Sequence, residues 1–244
     1  MNPAPVQQWL GSVSMVGEYG VSLGDARRDR RAQQVGTALA SKPDLSLPQV
    51  FEDEADLEGA YRLLGNPEVA WRALLAAHVT RTQARAAESH EVLVAHDTSD
   101  VAFRQYWPDR KRAQMSRFAS RTQGFFIHAS VAVTAQGLPL PLGVLAVQPF
   151  VHRTGLDASD AASAQFWEAE GGLFDNEQAR WFRAVAATTE NLSKHGVAPI
   201  HVMDRETDSY GLLSWLREGY RFVVRCDAER KLKCDGGLNE RWAY

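Results

Sequence analysis

Apolar residues recur along this chain in two rhythms, and the switch between them near residue 90 divides it. Before the switch the spacing is helical. Ala32, Val35 and Leu39 make a thin stripe behind Asp25, a residue type that caps helices, until Ser41-Lys42-Pro43 ends the run. Leu57, Ala60, Tyr61 and Leu64 fall at i, i+3, i+4 and i+7, which predicts a second helix stopped by Gly65-Asn66-Pro67. A third is predicted from Glu68 to Glu88, with Trp71, Leu74, Leu75, His78 and Val79 on its apolar face. His78 in that company reads as a core histidine rather than a ligand. Residues 1–22 carry Gly11, Gly17 and Gly20 with little periodicity and read as a loosely ordered leader.

After Ser89-His90 the rhythm becomes that of strands. Val92–Ala95 is a strand that climbs to a carboxylate, Asp97. Gly124–Thr134 and Leu138–Phe150 read as a hairpin joined near Gln136-Gly137. Residues 152–176, rich in Ala, Ser, Asp and Gly, read as a surface excursion. A helix is predicted from Glu177 to about His195, with Trp181, Phe182, Val185 and Leu192 apolar, and Gly196 supplies its left-handed cap. A strand then reaches Asp204. A helix over Ser209–Arg217 follows, then a strand over Arg221–Arg225. Three strands, then alternating helix and strand, is the ribonuclease H-like order. The fold class expected is therefore α/β, a ribonuclease H-like mixed-sheet core preceded by a small all-α domain. The boundaries are a leader at 1–22, a helical domain at 23–89, the core at 90–230 and an irregular tail at 231–244.

Composition narrows the partners. The chain has 244 residues, 45% hydrophobic and 23% charged, with a net charge of -3, which supplies a full core and gives no sign of disorder. No segment approaches the length of a membrane span, and no secretory signal is evident at the start. Two cysteines, Cys226 and Cys234, fit no zinc spacing and suggest a reducing compartment, so a cytoplasmic protein is expected. Cys226 reads as a buried strand residue. Local charge says more than the net charge. Arg27, Arg28, Arg30 and Arg31 make one side of the first helix strongly positive, which suits a solvated face and phosphate binding equally well. Residues 104–121 carry Arg104, Arg110, Lys111, Arg112, Arg117 and Arg121 against the lone acid Asp109, interleaved with Tyr106, Trp107 and Phe118. Charge with stacking groups, directly after Asp97, is the better nucleic-acid signal.

Asp97 and Asp204 are the candidate catalytic and metal-binding residues. Two strands of one sheet that each lead to an Asp can bring both carboxylates to one edge. Carboxylates are hard ligands that suit Mg2+ or Mn2+, and a pair can hold ions roughly 3.5–4 Å apart for phosphodiester chemistry. Taken singly, an Asp at a strand end is more often a turn or helix cap; the pair, in this order of elements and beside a basic aromatic loop, favours chemistry. Glu206 and Asp208 could reach the site but equally suit the first turn of a helix. His96 and His201 should point to the opposite face and sit in the core.

Several motifs resemble a known family. Leu23-Gly24-Asp25-Ala26-Arg27 through Arg31, Lys42-Pro43, Leu47-Pro48-Gln49 and Ala60-Tyr61-Arg62 up to Asn66 resemble the N-terminal domain of cut-and-paste transposases. The group is the bacterial insertion-sequence-four family, which includes the transposon-five transposase. His96-Asp97-Thr98-Ser99 resembles its first catalytic motif, and Asp204-Arg205-Glu206 with Asp208 and Tyr210 its second. The hairpin through Gly137-Leu138-Pro139-Leu140-Pro141-Leu142-Gly143-Val144, and Glu177 with Arg180-Trp181, are similar as well. The resemblance implies that Asp97 and Asp204 are two of three acids of a DDE site, using Mg2+ or Mn2+ for nicking and strand transfer at transposon ends. It implies that the helical domain recognises the double-stranded inverted-repeat DNA. The family's third acid is a Glu in a Tyr-x-x-Arg-Glu-x-x-x-Lys pattern beyond the fifth strand. Here Glu229 and Glu240 are the only later glutamates, and neither lies in that pattern. The expectation is a truncated, inactive or impaired transposase in the bacterial cytoplasm, nucleoid-associated, as a homodimer or a heterodimer with full-length transposase. A DNA-binding inhibitor without catalysis is the alternative. An unrelated metal-dependent phosphohydrolase stands third.

Overall fold

The structure, a computed structural model, describes residues 20–89, 91–104, 115–119, 122–156, 161–174, 178–226, 232–233 and 239–240. The chain divides into two compact units, Met1–Arg85 and Ala86–Tyr244.

The first unit is helical: α1 (Ala26–Ser41), α2 (Leu47–Val50), α3 (Glu54–Leu64) and α4 (Trp71–Ala87), the last running just past the boundary. Asp25 starts α1 as expected. Its carboxylate accepts the otherwise orphaned backbone N–H groups of Arg27 and Arg28. Asp53 does the same for α3 through the N–H of Asp56. Ala32 and Val35 of α1 meet Ala60 and Leu63 of α3 in a small core. This corrects the stripe read from the sequence. Tyr61 and Leu64 are 51% and 49% exposed, and Leu63 takes the inward place. Gly59 lets the Arg31 guanidinium lie so close that a Cβ there would stand 2.8 Å from Arg31 Cζ.

The second unit is built on a mixed sheet of β1 (Val92–Arg104), β2 (Ser116–Ala119), β3 (Thr122–Thr134), β4 (Pro141–His152), β5 (Leu173–Phe174), β6 (Ile200–Met203) and β7 (Arg221–Val224). The order is β5-β4-β3-β1-β6-β7, with β2 pairing the start of β3. β1, β3 and β4 are antiparallel neighbours, while β6 runs parallel to both β1 and β7. Among the described residues three helices accompany it: α5 (Ala161–Ala169), α6 (Gln178–Ser193) and α7 (Tyr210–Gly219). Trp181 and Val185 of α6 pack with Leu212 and Leu216 of α7 and Met203 of β6. A second cluster joins Val92, Val94, Ala132, Leu142, Leu145 and Leu192. Gly196 has φ 75°, and the Val197 N–H returns to the Leu192 carbonyl, so α6 ends in the left-handed cap expected of glycine.

Three further expectations are corrected. β1 does not stop at Asp97: its pairing with β3 continues unbroken from Val92↔Thr134 to Arg104↔Thr122. Residues 152–176 are not a plain surface excursion. They form α5 and the edge strand β5, because Trp167 and Phe174 are buried anchors that polar neighbours disguise in the sequence. Cys226 follows β7 and is exposed, not buried. In the core, Leu192 is fully buried in the cluster beside β1. Leu192→Ala is expected to cost about 2–5 kcal/mol, seen as a lower urea midpoint at unchanged slope.

Candidate functional site: a carboxylate pair over a buried polar layer

The ladder between β1 and β6 aligns Leu93 with Ile200, Val94 with His201 and Ala95 with Val202. The last pair of the ladder is Ala95↔Val202, and Asp97 and Asp204 each lie two residues beyond it. The backbone at Asp204 is still extended, so the pleat carries its side chain to the same side as Val202 and Asp97. Asp97 is exposed and has no hydrogen-bond or ion-pair partner among the described residues. Asp204 acts as a cap as well: its Oδ1 accepts the N–H of Glu206 at 2.9 Å, at the head of the 3-10 turn Arg205–Thr207.

Beneath this pair, on the face covered by helix, lies a layer of buried polar side chains. Ser130 Oγ meets His96 Nδ1 at 2.9 Å, His96 Nε2 meets His201 Nδ1 at 2.8 Å, and His201 Nε2 meets Thr189 Oγ1 at 2.8 Å. One shared proton joins the two rings, so the chain cannot be satisfied with both histidines protonated. Burial, then the charges of His201 and His128, push His96 down to about 2. Burial pushes His201 down to about 4. His128, which meets Thr98 Oγ1 through Nδ1 at 2.9 Å, is pushed to about 4 by burial and then by Arg180. Its Nε2 has no hydrogen-bond partner among the described residues; the ring stands edge-on to Trp181, with centroids 4.6 Å apart.

Arg180 completes the layer. It is 4% exposed, yet its Nε donates to Thr98 Oγ1 at 3.2 Å and its Nη2 to Glu206 Oε2 at 3.0 Å. The guanidinium also lies over the Phe150 and Trp181 rings, at 5.2 and 5.7 Å. Glu206 is thereby tied to Arg180. Among the described residues, no three His, Cys, Asp or Glu side chains group as metal ligands. The core placement expected of His96 and His201 holds, since both are buried. Arg180, Thr98, His128, Ser130 and Thr189 went unremarked as a network. A signal existed: Arg180, Ala184, Thr188 and Leu192 lie at helical spacing on the buried side of α6, an odd place for a guanidinium.

The basic residues divide. Arg27 is 84% exposed, and its guanidinium and N–H hold the Asp25 carboxyl at about 2. Arg30 is exposed and Arg28 half-buried. Arg31 Nη1 binds Asp56 Oδ1 at 2.6 Å and ties α1 to α3. In the second cluster, Arg104 ends β1 and Arg117 lies in β2. Arg110, Lys111, Arg112 and Arg121 lie outside the described residues.

Residues 19–69 match a family model described as transposase DNA-binding. The match covers α1 to α3 and the arginine face of α1. It supports a transposase, or a role in binding transposon ends, with DNA as the partner. No helix among the described residues is long and apolar enough to cross a membrane.

The buried histidines set a pH dependence. Their folded pKa values lie below the ordinary 6.5, so the unfolded chain takes up protons first on acidification. Their contribution is whole above pH 6.5 and lost as pH falls, down to about 4 for His128 and His201 and further down for His96. Over that window stability should fall by up to about 1.4 kcal/mol per pH unit for each histidine. Urea denaturation at pH 7.5, 6 and 5 checks this, and a flat profile contradicts it.

Proposed function

We propose that this chain carries the DNA-binding unit and ribonuclease H-like core of a cut-and-paste transposase of the insertion-sequence-four type. The observation that carries the reading is the meeting of two independent features. A transposase DNA-binding match at residues 19–69 falls in the helical unit, and in the sheet unit the parallel neighbours β1 and β6, last paired at Ala95↔Val202, each run on two residues to an aspartate, Asp97 and Asp204. Neither feature requires the other, and this class of enzyme needs both.

The donor set fits a divalent cation. Asp97 and the second oxygen of Asp204 are hard, anionic and without hydrogen-bond or ion-pair partners among the described residues, while Arg180 neutralises Glu206. Asp97 and Asp204 would hold Mg2+ or Mn2+. Such an ion neutralises phosphate charge and activates the attacking water or 3′-hydroxyl. The residues themselves do three things. The two carboxylates fix where the cation sits. Arg27, Arg28 and Arg30 present positive charge to the phosphates of end DNA. Arg31 holds the helix that carries them. A DNA-binding protein that occupies ends without cutting them is the second reading, favoured by the restriction of the family match to the helical unit.

Substitution and chelation test this. Asp97→Asn or Asp204→Asn should abolish Mn2+ binding and any Mn2+-dependent nicking of inverted-repeat DNA, and leave DNA affinity unchanged. Chelation with EDTA should do the same. Retained DNA binding with no Mn2+-dependent nicking by the unaltered protein would favour the binding-only reading. Arg27→Ala or Arg30→Ala should weaken DNA binding and lower the salt slope by about one for each phosphate no longer neutralised. Arg31→Ala should instead cost up to about 1 kcal/mol of stability through loss of its half-exposed ion pair.

A further inference from the structure

We infer that Arg180 is a positioning residue that braces the two segments carrying Asp97 and Asp204. The inference rests on the reading of Asp97 and Asp204 as a cation-binding pair. The parallel ladder that leads to them ends at Ala95↔Val202, two positions short of the carboxylates. Beyond that point the strands part: β1 continues with β3, and β6 gives way to the turn Arg205–Thr207. Arg180 bridges the gap from beneath. One arm of its guanidinium holds Thr98, the residue after Asp97; the other holds Glu206, whose own N–H is bound by Asp204 Oδ1.

The chemistry of the side chain suits a brace. Guanidinium is planar and rigid, so Nε and Nη2 address two partners at a fixed separation, which a lysine ammonium cannot reproduce. Phe150 and Trp181 hold it by ring contacts, and it lies on the buried side of α6. Thr98 lies on the helix-covered face of β1, opposite to Asp97. Arg180 is therefore walled off from the carboxylate face and cannot serve as the phosphate-binding arginine of the site. It acts through its neighbours.

Charge and position predict opposite signs, which makes the test decisive. If Arg180 acted only as a nearby positive charge, removing it would tighten cation binding. If it braces the pair, removing it loosens binding, by the 10- to 100-fold typical of outer-shell partners of metal ligands. The experiment titrates Mn2+ against the full chain by electron paramagnetic resonance and follows thermal unfolding in parallel. The unaltered protein should bind Mn2+ and Asp97→Asn should not. Arg180→Met should bind about 10- to 100-fold more weakly while still unfolding cooperatively, and Arg180→Lys should not restore the affinity. Thr98→Val removes one arm without changing charge and should weaken binding in the same direction. Equal or tighter Mn2+ binding by a cooperatively folded Arg180→Met overturns the inference. Should that variant not fold, unchanged affinity in Thr98→Val overturns it instead. Absence of Mn2+ binding by the unaltered protein defeats the reading of the aspartates, and this inference falls with it.

Discussion

The parallel pairing of β1 with β6 is the constraint on which the candidate site depends. It joins segments more than a hundred residues apart and fixes which residue of one stands beside which residue of the other. Side chains alternate along a strand, so a slip of one position would send Asp97 and Asp204 to opposite faces of the sheet. The register is held because His96 and His201 share one proton between their rings, and because Val92, Val94 and Met203 are buried on the same side. A slipped strand would bury Asp97 under α6 and expose the histidines. Both changes are costly, which is why a short ladder can specify the arrangement.

That buried layer is an unusual use of histidine. Leucines would fill the same space without a need for hydrogen bonds, and would tolerate acid. The Ser130–His96–His201–Thr189 chain instead links β3, β1, β6 and α6, and each bond has a direction and a length. Apolar packing is adaptable; such a chain accepts one geometry, since any shift leaves a buried polar atom unsatisfied. Its consequence is sensitivity to protonation.

In the helical unit the same separation of support and contact operates within one run of charge. Arg31 fits over Gly59 and pairs with Asp56, while Arg27 stands in solvent beside the cap it neutralises. A cluster that composition presents as uniform is thus divided by what each side chain meets. The family match at residues 19–69 falls on this unit.

What the sequence determined by itself was local. The caps at Asp25 and Gly196, the helices α1, α6 and α7, and the hairpin strands were legible because capping and periodicity are properties of neighbouring residues. The aspartates could be singled out as candidates because a carboxylate after an apolar run is visible in one dimension. The tertiary structure alone decided the rest. It rotated α3 so that Leu63 rather than Leu64 turned inward, prolonged β1 past Asp97, and made residues 161–174 into a helix and an edge strand. It also gathered Thr98, His128, Arg180 and Glu206 from four distant places into one network. Each of these outcomes depends on a partner remote in the chain. A strand continues where its neighbour continues, and a buried arginine is tolerated only where its two acceptors stand.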